Sequence, residues 1–394
     1  MDSHSLFMKL AMDKAWQFQT LTRPNPAVGA LILHNNQIIA LQAHQKAGAP
    51  HAEVLACKQA LLHFYHHDKG AKKRIEDSIA KNLEVLLPQG GTDPIKSVLE
   101  NLKSLDDAAA LHKYISLLHS GLFEEAYFYV TLEPCNHYGK TPPCAALLAL
   151  VAPKKVIVAS KDLSPTAKGG MDRLKHAGIE VIEGVLQNEG EALLLPFHKW
   201  QKNEGLVLFK VAHRLDGSYG DGVISNLDSR IYSHNMRTLA DSIVISGQTL
   251  RNDNPRLDTR FSIKPYSPAR LPKVVVLSRK LKARDLHSFR LASRDVSFVD
   301  SPHKLPRDGF VIIEGGFGLL SRLLDSGIYP DLILGYVAPS LGRVGALDCD
   351  LPLQKGGYSL ASVGVLKDFW QGLGGEVLDS TANVIYWFAR ALHV

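Results

Sequence analysis

The sequence is poor in cysteine and has no long hydrophobic run. Four cysteines among 394 residues are too few for a disulfide framework, so paired cysteines favour a metal site and a cytoplasmic location. No stretch of about eighteen apolar residues occurs, and no membrane-spanning helix is expected. Residues 1–19 carry acidic side chains and lack the apolar segment of a signal peptide. They predict an amphipathic helix, with one face formed by Leu6, Leu10, Met12 and Trp16.

Charge of one sign is not concentrated anywhere along the chain. The formal net charge of +6 is modest, and lysine and arginine are spread over the whole length. This pattern suits small phosphorylated ligands and gives no indication of a nucleic-acid partner. A composition of 45% hydrophobic and 21% charged residues is typical of an ordinary globular protein.

Strand and helix patterns alternate in both halves of the chain, which predicts two α/β domains. Residues 27–43 predict a hairpin whose two apolar strands flank an Asn-Asn turn. Residues 196–206 are interpreted as a connector. We therefore expect one domain over 1–203 and a second over 204–394.

The stretch from about 66 to 125 interrupts this alternation. Its periodicity is helical and its charge is mixed, so it is interpreted as a helical insertion into the first domain. A surface addition with a structural or oligomer-forming role is favoured over a catalytic role.

Four residues in the first half have the types and neighbours that a catalytic zinc site requires. His51 and Glu53 stand in PHAEV, and Cys135 and Cys144 each follow a proline in PCNHYGKTPPC. An imidazole and two thiolates suit zinc, and three protein ligands leave one position for water. Both cysteines are expected beside helix starts, where the helix dipole favours thiolate. Glu53 is expected to remain unligated and to carry protons between water and a leaving amine.

This pattern is the signature of zinc-dependent nucleobase deaminases, although eight residues separate the two cysteines here. Cys57 and Cys349 are interpreted as small core residues. A nucleic-acid-editing deaminase with an unrelated appendage is an alternative. It predicts a basic groove lined by aromatic side chains, which the dispersed charge does not supply.

Three segments, PCNHYGKTPPC, TRPNPAVGALI and HQKAGAPHAEV, together resemble one family closely. It is the family of bifunctional riboflavin-biosynthesis enzymes, in which a pyrimidine deaminase is fused to a pyrimidine reductase. The resemblance covers nearly the whole chain apart from the insertion. It implies a cytidine-deaminase-like three-layer domain with one zinc ion per chain, followed by a dihydrofolate-reductase-like domain that uses NADPH. It also implies a homo-oligomer, a dimer or a tetramer, that acts on small phosphorylated pyrimidines.

The resemblance implies two successive reactions and the residues that serve them. A diamino-ribosylamino-pyrimidinone phosphate is deaminated, and NADPH then reduces the ribosyl group of the product to a ribityl chain. The substrate positions of the deaminase are Asn25, His44, His137 and Lys140. Those of the reductase are Lys210, Arg237, Leu257, Arg260 and Glu314, and the cofactor positions are Thr249, Asp253, Gly315, Gly316, Phe317 and Gly318.

Departures from the family pattern cluster in the second half. Arg214 stands where the family has a serine, and Asp221 and Val223 stand where serine and tryptophan are expected. An active deaminase with an impaired reductase domain is therefore the second interpretation of the whole chain.

Overall fold

The computed structural model describes residues 2–88, 93–139, 141–164, 168–219, 224–266, 270–341, 353, 357–366 and 383–390. The chain divides into two compact units, Met1–Leu194 and Leu195–Val394. Each unit contains one β-sheet with helices packed against it, so the predicted α/β class is confirmed. No helix within the described residues has the length and apolar character needed to span a membrane.

The first unit is built on a five-stranded sheet with the order β2-β1-β3-β4-β5. Strand β1 is antiparallel to both β2 and β3, whereas β3, β4 and β5 run parallel. The strands are β1 (Gly29–His34), β2 (Gln37–Ala43), β3 (Tyr127–Leu132), β4 (Lys155–Ser160) and β5 (Glu180–Glu183). The helices are α1 (Ser3–Trp16), α2 (Ala52–His67), α3 (Lys69–Lys81), α4 (Leu83–Leu86), α5 (Pro94–Ser104), α6 (Ala108–Leu118), α7 (Cys144–Val151), α8 (Gly170–His176) and α9 (Gln187–Gln201).

The predicted hairpin is confirmed as β1 and β2. Asn35 and Asn36 form its turn with φ angles of 49° and 60°, the left-handed conformation that a two-residue hairpin of this kind requires. Side chains along each strand point alternately to the two faces of the sheet. Helices cover both faces, so both are buried. One face packs against α1, as the Phe7 and Tyr129 rings show with centroids 5.4 Å apart. The other packs against α2 and forms the main core of the unit.

The predicted insertion is helical, with α3, α4, α5 and α6 lying between α2 and β3. Several of its apolar side chains are buried, whereas Val85 is 45% exposed. Ile79, Val98, Leu111 and Ile115 are at most 1% exposed, and they belong to the same core cluster as the side chains of α2 and α7. The segment therefore shares the core of the unit, and its structural rather than catalytic role stays a prediction. Each helix shares its buried face with the deaminase-like core.

The segment interpreted as a connector is helical over most of its length. Helix α9 continues to Gln201 and includes Pro196 in its interior. The chain therefore passes from one compact unit to the next within a helix, and only 202–205 separate α9 from the first strand of the second unit.

The second unit is built on an eight-stranded sheet with the order β12-β13-β11-β6-β10-β7-β8-β9. Six neighbouring strands run parallel, in the order β11-β6-β10-β7-β8-β9. Strand β13 lies between β11 and β12 and is antiparallel to both. The strands are β6 (Leu206–Arg214), β7 (Ser242–Ser246), β8 (Lys273–Leu277), β9 (Val296–Val299), β10 (Phe310–Glu314), β11 (Leu332–Ala338), β12 (Tyr358–Leu366) and β13 (Asn383–Arg390). The helices are α10 (Leu227–Leu239), α11 (Gly247–Asp253) and α12 (Phe317–Asp325), with short 3-10 helices at Ala283–Ser288 and Pro302–Lys304.

Candidate functional site

Helix α2 positions the candidate ligand His51 and the candidate proton carrier Glu53. His51 is the N-cap residue, with an extended backbone at φ −72° and ψ 163°. Its carbonyl accepts the first helical hydrogen bond, from the Leu55 N–H at 3.1 Å. The imidazole therefore lies at the end of the helix, and Glu53 follows in the first turn, where the helix dipole favours a carboxylate.

Helix α7 positions both candidate cysteines. Cys144 is the first residue of this helix, after Pro143 at the N-cap, as predicted. Cys135 lies in the loop after β3 and beside the start of α7, as predicted. The N-terminus of α7 serves it, because the Cys144 N–H donates to Cys135 Sγ at 3.4 Å.

The three candidate ligand atoms converge on one point. His51 Nδ1 lies 3.3 Å from Cys144 Sγ and 3.6 Å from Cys135 Sγ, and all three atoms are within 4.8 Å of one another. Around a tetrahedral zinc, with bonds of about 2.3 Å to sulfur and about 2.05 Å to nitrogen, such atoms would be about 3.6 Å apart. The spacing and the donor types therefore fit a zinc ion.

A threonine that the sequence reasoning missed orients His51. Thr141 Oγ1 lies 3.4 Å from His51 Nε2, the ring nitrogen that faces away from the sulfurs, and its residue is only 8% exposed. A histidine that binds a metal through one nitrogen usually fixes its orientation by a hydrogen bond from the other. The position of Thr141 three residues before Cys144 was the only available signal in the sequence.

Burial sets the protonation of this site. The Glu53 side chain is 3% exposed, and burial raises its pKa to about 7, with the His51 charge acting in the opposite direction. A hydrogen bond from the Cys144 thiol lowers the pKa of Cys135 to about 4, and the same bond raises that of Cys144. Cys135 is thus poised as a thiolate, and Glu53 can exchange a proton near neutral pH.

Two of the predicted substrate residues of the deaminase lie beside His51. The His44 ring stands 5.3 Å from the His51 ring, and burial lowers the pKa of His44 to about 4. Neutral His44 donates through Nδ1 to the Pro50 carbonyl at 3.1 Å, which leaves Nε2 to accept from the Asn25 amide at 3.1 Å. His137 is exposed in the loop after Cys135, and Lys140 lies outside the described residues.

A buried carboxylate supports the loop that carries Cys135. Glu133 is 6% exposed and accepts three backbone N–H groups, from Asp162 at 3.1 Å, Gly169 at 2.9 Å and Met171 at 3.2 Å. These bonds tie the end of β3 to the segment that opens α8. The sequence analysis did not identify Glu133, since its partners are backbone groups about thirty residues away.

In the second unit, the strand register brings three predicted substrate residues together. Lys210 and Glu314 are paired residues on the adjacent parallel strands β6 and β10. Arg237, from α10, donates to both Glu314 oxygens, at 3.0 and 2.8 Å, and to the Asp258 carbonyl at 3.0 Å. Burial would raise the pKa of Glu314, but the Arg237 and Lys210 charges lower it to about 2. The result is a buried cluster with excess positive charge.

The remaining substrate positions of this unit differ in accessibility. Arg260 is 45% exposed and forms an ion pair with Asp258 at 2.6 Å. The Leu257 side chain is buried in an apolar cluster, and its carbonyl accepts a hydrogen bond from Arg294. His234, which the sequence analysis missed, lies 3.3 Å from Arg237, and burial lowers its pKa to about 3.

The predicted cofactor turn connects β10 to α12. Gly316 is the N-cap of α12, and the Phe317 side chain is buried, so only backbone groups of this turn are offered to a ligand. A Cβ atom placed on Gly316 would meet the Tyr219 ring at 2.4 Å, and one on Gly315 would meet Leu319 at 2.7 Å. The backbone therefore fits a close phosphate contact, but the Tyr219 ring lies on it.

The other cofactor candidates belong to α11, which follows the neighbouring strand β7. The Thr249 N–H donates to the Ser246 hydroxyl at 3.0 Å, and Asp253 is exposed at the end of the helix. Since β7 and β10 are adjacent and parallel, both groups lie at the carboxyl edge of the sheet, where ligands of α/β sheets bind. Arg214 ends β6, and Asp221 and Val223 lie outside the described residues.

Comparisons with known proteins agree with this geometry. Residues 1–76 match the family model for the cytidine and deoxycytidylate deaminase zinc-binding region. The riboflavin biosynthesis protein RibD of Mycobacterium tuberculosis (strain CDC 1551 / Oshkosh) is 30% identical over 357 residues, covering 86% of this chain and 87% of the relative. The chain belongs to the RibD family of riboflavin biosynthesis proteins. The predicted family and the predicted α/β fold class are confirmed, and the match to the deaminase zinc-binding region lies in the first unit.

A second RibD protein and a solved structure match over similar stretches. RibD of Aquifex aeolicus is 27% identical over 381 residues, covering 88% of this chain and 90% of the relative. Among solved structures, a diaminohydroxyphosphoribosylaminopyrimidine deaminase/5-amino-6-(5-phosphoribosylamino)uracil reductase from Thermotoga maritima has 24% sequence identity and a TM-score of 0.48, with 98% of each chain covered. The matches cover 90% and 87% of the RibD proteins of Aquifex aeolicus and Mycobacterium tuberculosis.

Proposed function

We propose that this chain catalyses two successive steps of riboflavin biosynthesis. The first unit is a zinc-dependent deaminase that acts on a phosphorylated ribosylamino-pyrimidinone. The second unit is an NADPH-dependent reductase that converts the ribosyl group of the deaminated product into a ribityl chain. Membership of the RibD family supports the pathway.

One observation carries the deaminase assignment. His51 Nδ1 lies within 3.6 Å of two cysteine sulfurs, and the buried Glu53, two residues after His51 in the first turn of α2, has its pKa raised to about 7. A zinc ion held by these three atoms would supply Lewis acidity and lower the pKa of a water molecule to about 7.

The chain's own residues divide the remaining work. Glu53 takes a proton as the oxygen of water bonds to the amino-bearing carbon, and returns it to the nitrogen as the carbon–nitrogen bond breaks and ammonia leaves. Asn25 offers amide groups that can bond the edge of a pyrimidine, while neutral His44 fixes the orientation of that amide. The protons balance. One hydrogen of the water ends on the ammonia, and the other ends on the ring nitrogen next to the new carbonyl group.

In the second unit, the positive cluster around Arg237 supplies the charge that a phosphorylated substrate needs. NADPH, when bound, supplies the hydride. Lys210 and Arg237 have one acidic partner, Glu314, between them, and Arg260 adds an exposed guanidinium on the same loop region. These residues are proposed to orient the ribose phosphate, and the turn at Gly316 is proposed to contact the cofactor phosphates.

The deaminase proposal is tested by measuring metal content and ammonia release from one set of variants. His51→Ala and Cys135→Ala should lose zinc, whereas Glu53→Gln should keep zinc and release no ammonia. Cys57→Ala is the matched control, because this buried cysteine on α2 is not part of the ligand group and should keep both properties. Stoichiometric zinc in the ligand variants, or full activity of Glu53→Gln, contradicts the assignment.

The second interpretation, an active deaminase with an impaired reductase, is favoured by one observation. The Tyr219 ring packs so close to Gly316 that a Cβ atom there would lie 2.4 Å from it, which leaves little room for cofactor phosphates on that side of the turn. Incubation of the phosphoribosylamino-uracil with NADPH decides between the two. Loss of the nicotinamide absorbance supports the bifunctional enzyme. No loss, with a verified substrate and with cofactor binding also absent, supports the impaired reductase.

A further inference from the structure

One face of α10 carries three basic side chains that meet the same loop. Arg230, His234 and Arg237 are four and three residues apart, a spacing that places them on one side of the helix. Arg237 donates to the first carbonyl of the segment 258–261 at 3.0 Å, and the His234 ring lies 4.9 Å from the Phe261 ring. This face of α10 therefore holds the segment in place.

Two guanidinium groups lie over the Phe261 ring. The Arg230 Cζ atom is 4.1 Å from the ring centroid, and the Arg260 Cζ atom is 5.0 Å from it. Because both distances are measured from one point, the two carbons are at most about 9 Å apart. Stacking uses the flat face of a guanidinium and leaves its N–H donors, which lie in the plane, available for hydrogen bonds. The ring thus brings two cations together without occupying their donors.

Only one of these two arginines has an acidic partner. Arg260 forms an ion pair with Asp258 at 2.6 Å. The Arg230 side chain makes no hydrogen bond or ion pair within the part of the chain that the structure describes, although it is partly buried. Like charges that share a ring repel each other, and an anion that bonds to both relieves the repulsion. A phosphate group, which accepts short hydrogen bonds of about 2.8 Å from paired guanidinium donors, fits this arrangement.

We propose that Arg230 is a further phosphate-binding residue of the second unit, and that Phe261 aligns it with Arg260 around the phosphate of the ribose group. The inference rests on the reductase activity of the proposed function and adds a residue to its substrate site. The phosphate is remote from the carbon that receives the hydride. Arg230 therefore contributes to substrate affinity and to the preference for a phosphorylated substrate, and leaves the reacting atoms unaffected.

The test compares two substrates, the phosphoribosylamino-uracil and its dephosphorylated form, in steady-state assays with NADPH. Arg230→Gln should raise KM for the phosphorylated compound by about 10-fold or more, because a hydrogen bond to a charged group is lost, with little change in kcat. The dephosphorylated compound should react equally well with the wild-type protein and the variant. Arg230→Lys keeps the charge without the fork and should fall between them. Arg322→Gln is the matched control, because it removes the same charge from an exposed position in the last turn of α12.

Calorimetric titration with ribose 5-phosphate measures the same site without turnover. Arg230→Gln and Phe261→Leu should both weaken this binding, and Arg322→Gln should not. Unchanged affinity in Arg230→Gln or Phe261→Leu overturns the inference, and so does an equal rise in KM for the dephosphorylated substrate, which would indicate a structural role. A wild-type protein that binds ribose 5-phosphate through Arg230 but reduces neither compound overturns the proposed function and leaves the phosphate site in place.

Discussion

Removal of Arg237 should reveal how the charged cluster of the second unit is held together. Arg237 and Glu314 form a bidentate pair whose side chains are only 11% and 12% exposed. Arg237→Ala leaves the carboxylate buried, with Lys210 as its remaining positive neighbour. A buried charge that loses its partner is strongly destabilising.

The size of the effect follows from the pKa of Glu314. Its net fall from 4.5 to about 2, the result of burial and of the opposing Arg237 and Lys210 charges, corresponds to about 3.5 kcal/mol, at about 1.4 kcal/mol for each unit. This agrees with the 3 to 5 kcal/mol, roughly, that loss of one partner from a buried pair costs. Because the folded-state pKa is depressed, this stabilisation is fully present above pH 4.5 and is lost as the pH falls through about 2.

In the variant, burial acts on Glu314 without Arg237 and raises its pKa. The folded variant can then take up a proton as the pH falls below neutral, which relieves part of the penalty. The difference in stability between wild type and variant should therefore be largest near pH 7 and smaller near pH 4.5.

The assay is urea unfolding of both proteins at these two pH values. Arg260→Ala is the matched control, because Arg260 also forms a short ion pair, with Asp258, but its side chain is 45% exposed. An exposed pair contributes at most about 1 kcal/mol. Equal destabilisation by the two substitutions, or a difference for Arg237→Ala that does not change with pH, would refute the reasoning.

Three further substitutions test particular contacts. Thr141→Val should weaken zinc binding by about 10-fold in a chelator competition, because the His51 ring loses its orienting partner; unchanged affinity would remove Thr141 from the site. Tyr219→Ala should strengthen NADPH binding, measured by fluorescence titration, because it uncovers Gly316; weaker binding would mean that the ring contributes to the cofactor site. Glu133→Gln should lower the unfolding temperature, because an amide offers one acceptor oxygen to the three N–H groups that the carboxylate satisfies; an unchanged temperature would contradict that role.

The ligands of the metal site could be predicted because their local chemistry is unusual. His51 precedes an apolar helix, and both cysteines follow prolines, so residue type and backbone signal agree at each position. Thr141 and Glu133 could not be predicted in this way. Their roles depend on which backbone groups and ring atoms lie nearby after folding.

Helix α1 shows how an apolar pattern can indicate the right element and only part of its buried face: Met12 and Trp16 are buried, as expected. Leu6 was expected on the buried face but is 52% exposed, whereas Ala11 and Ala15 are fully buried. The helix approaches β1 so closely that a Cβ atom on Gly29 would lie 1.9 Å from the Ala11 carbonyl oxygen. Small residues therefore face the sheet, and the size of a side chain misleads at such a contact.

The insertion explains why the two halves of the zinc signature are so far apart in this chain. The match to the deaminase zinc-binding region ends at residue 76, within α3, and so includes His51 and Glu53 but neither cysteine ligand. The fold brings the halves together again, because α2 and α7 pack against each other and both contact α6. Burying a side chain such as Leu111 or Ile115 contributes about 1.5 to 3 kcal/mol, so a few such contacts equal the net stability of a typical domain. The segment that separates the motif in sequence is therefore one of the elements that hold it together in the folded protein.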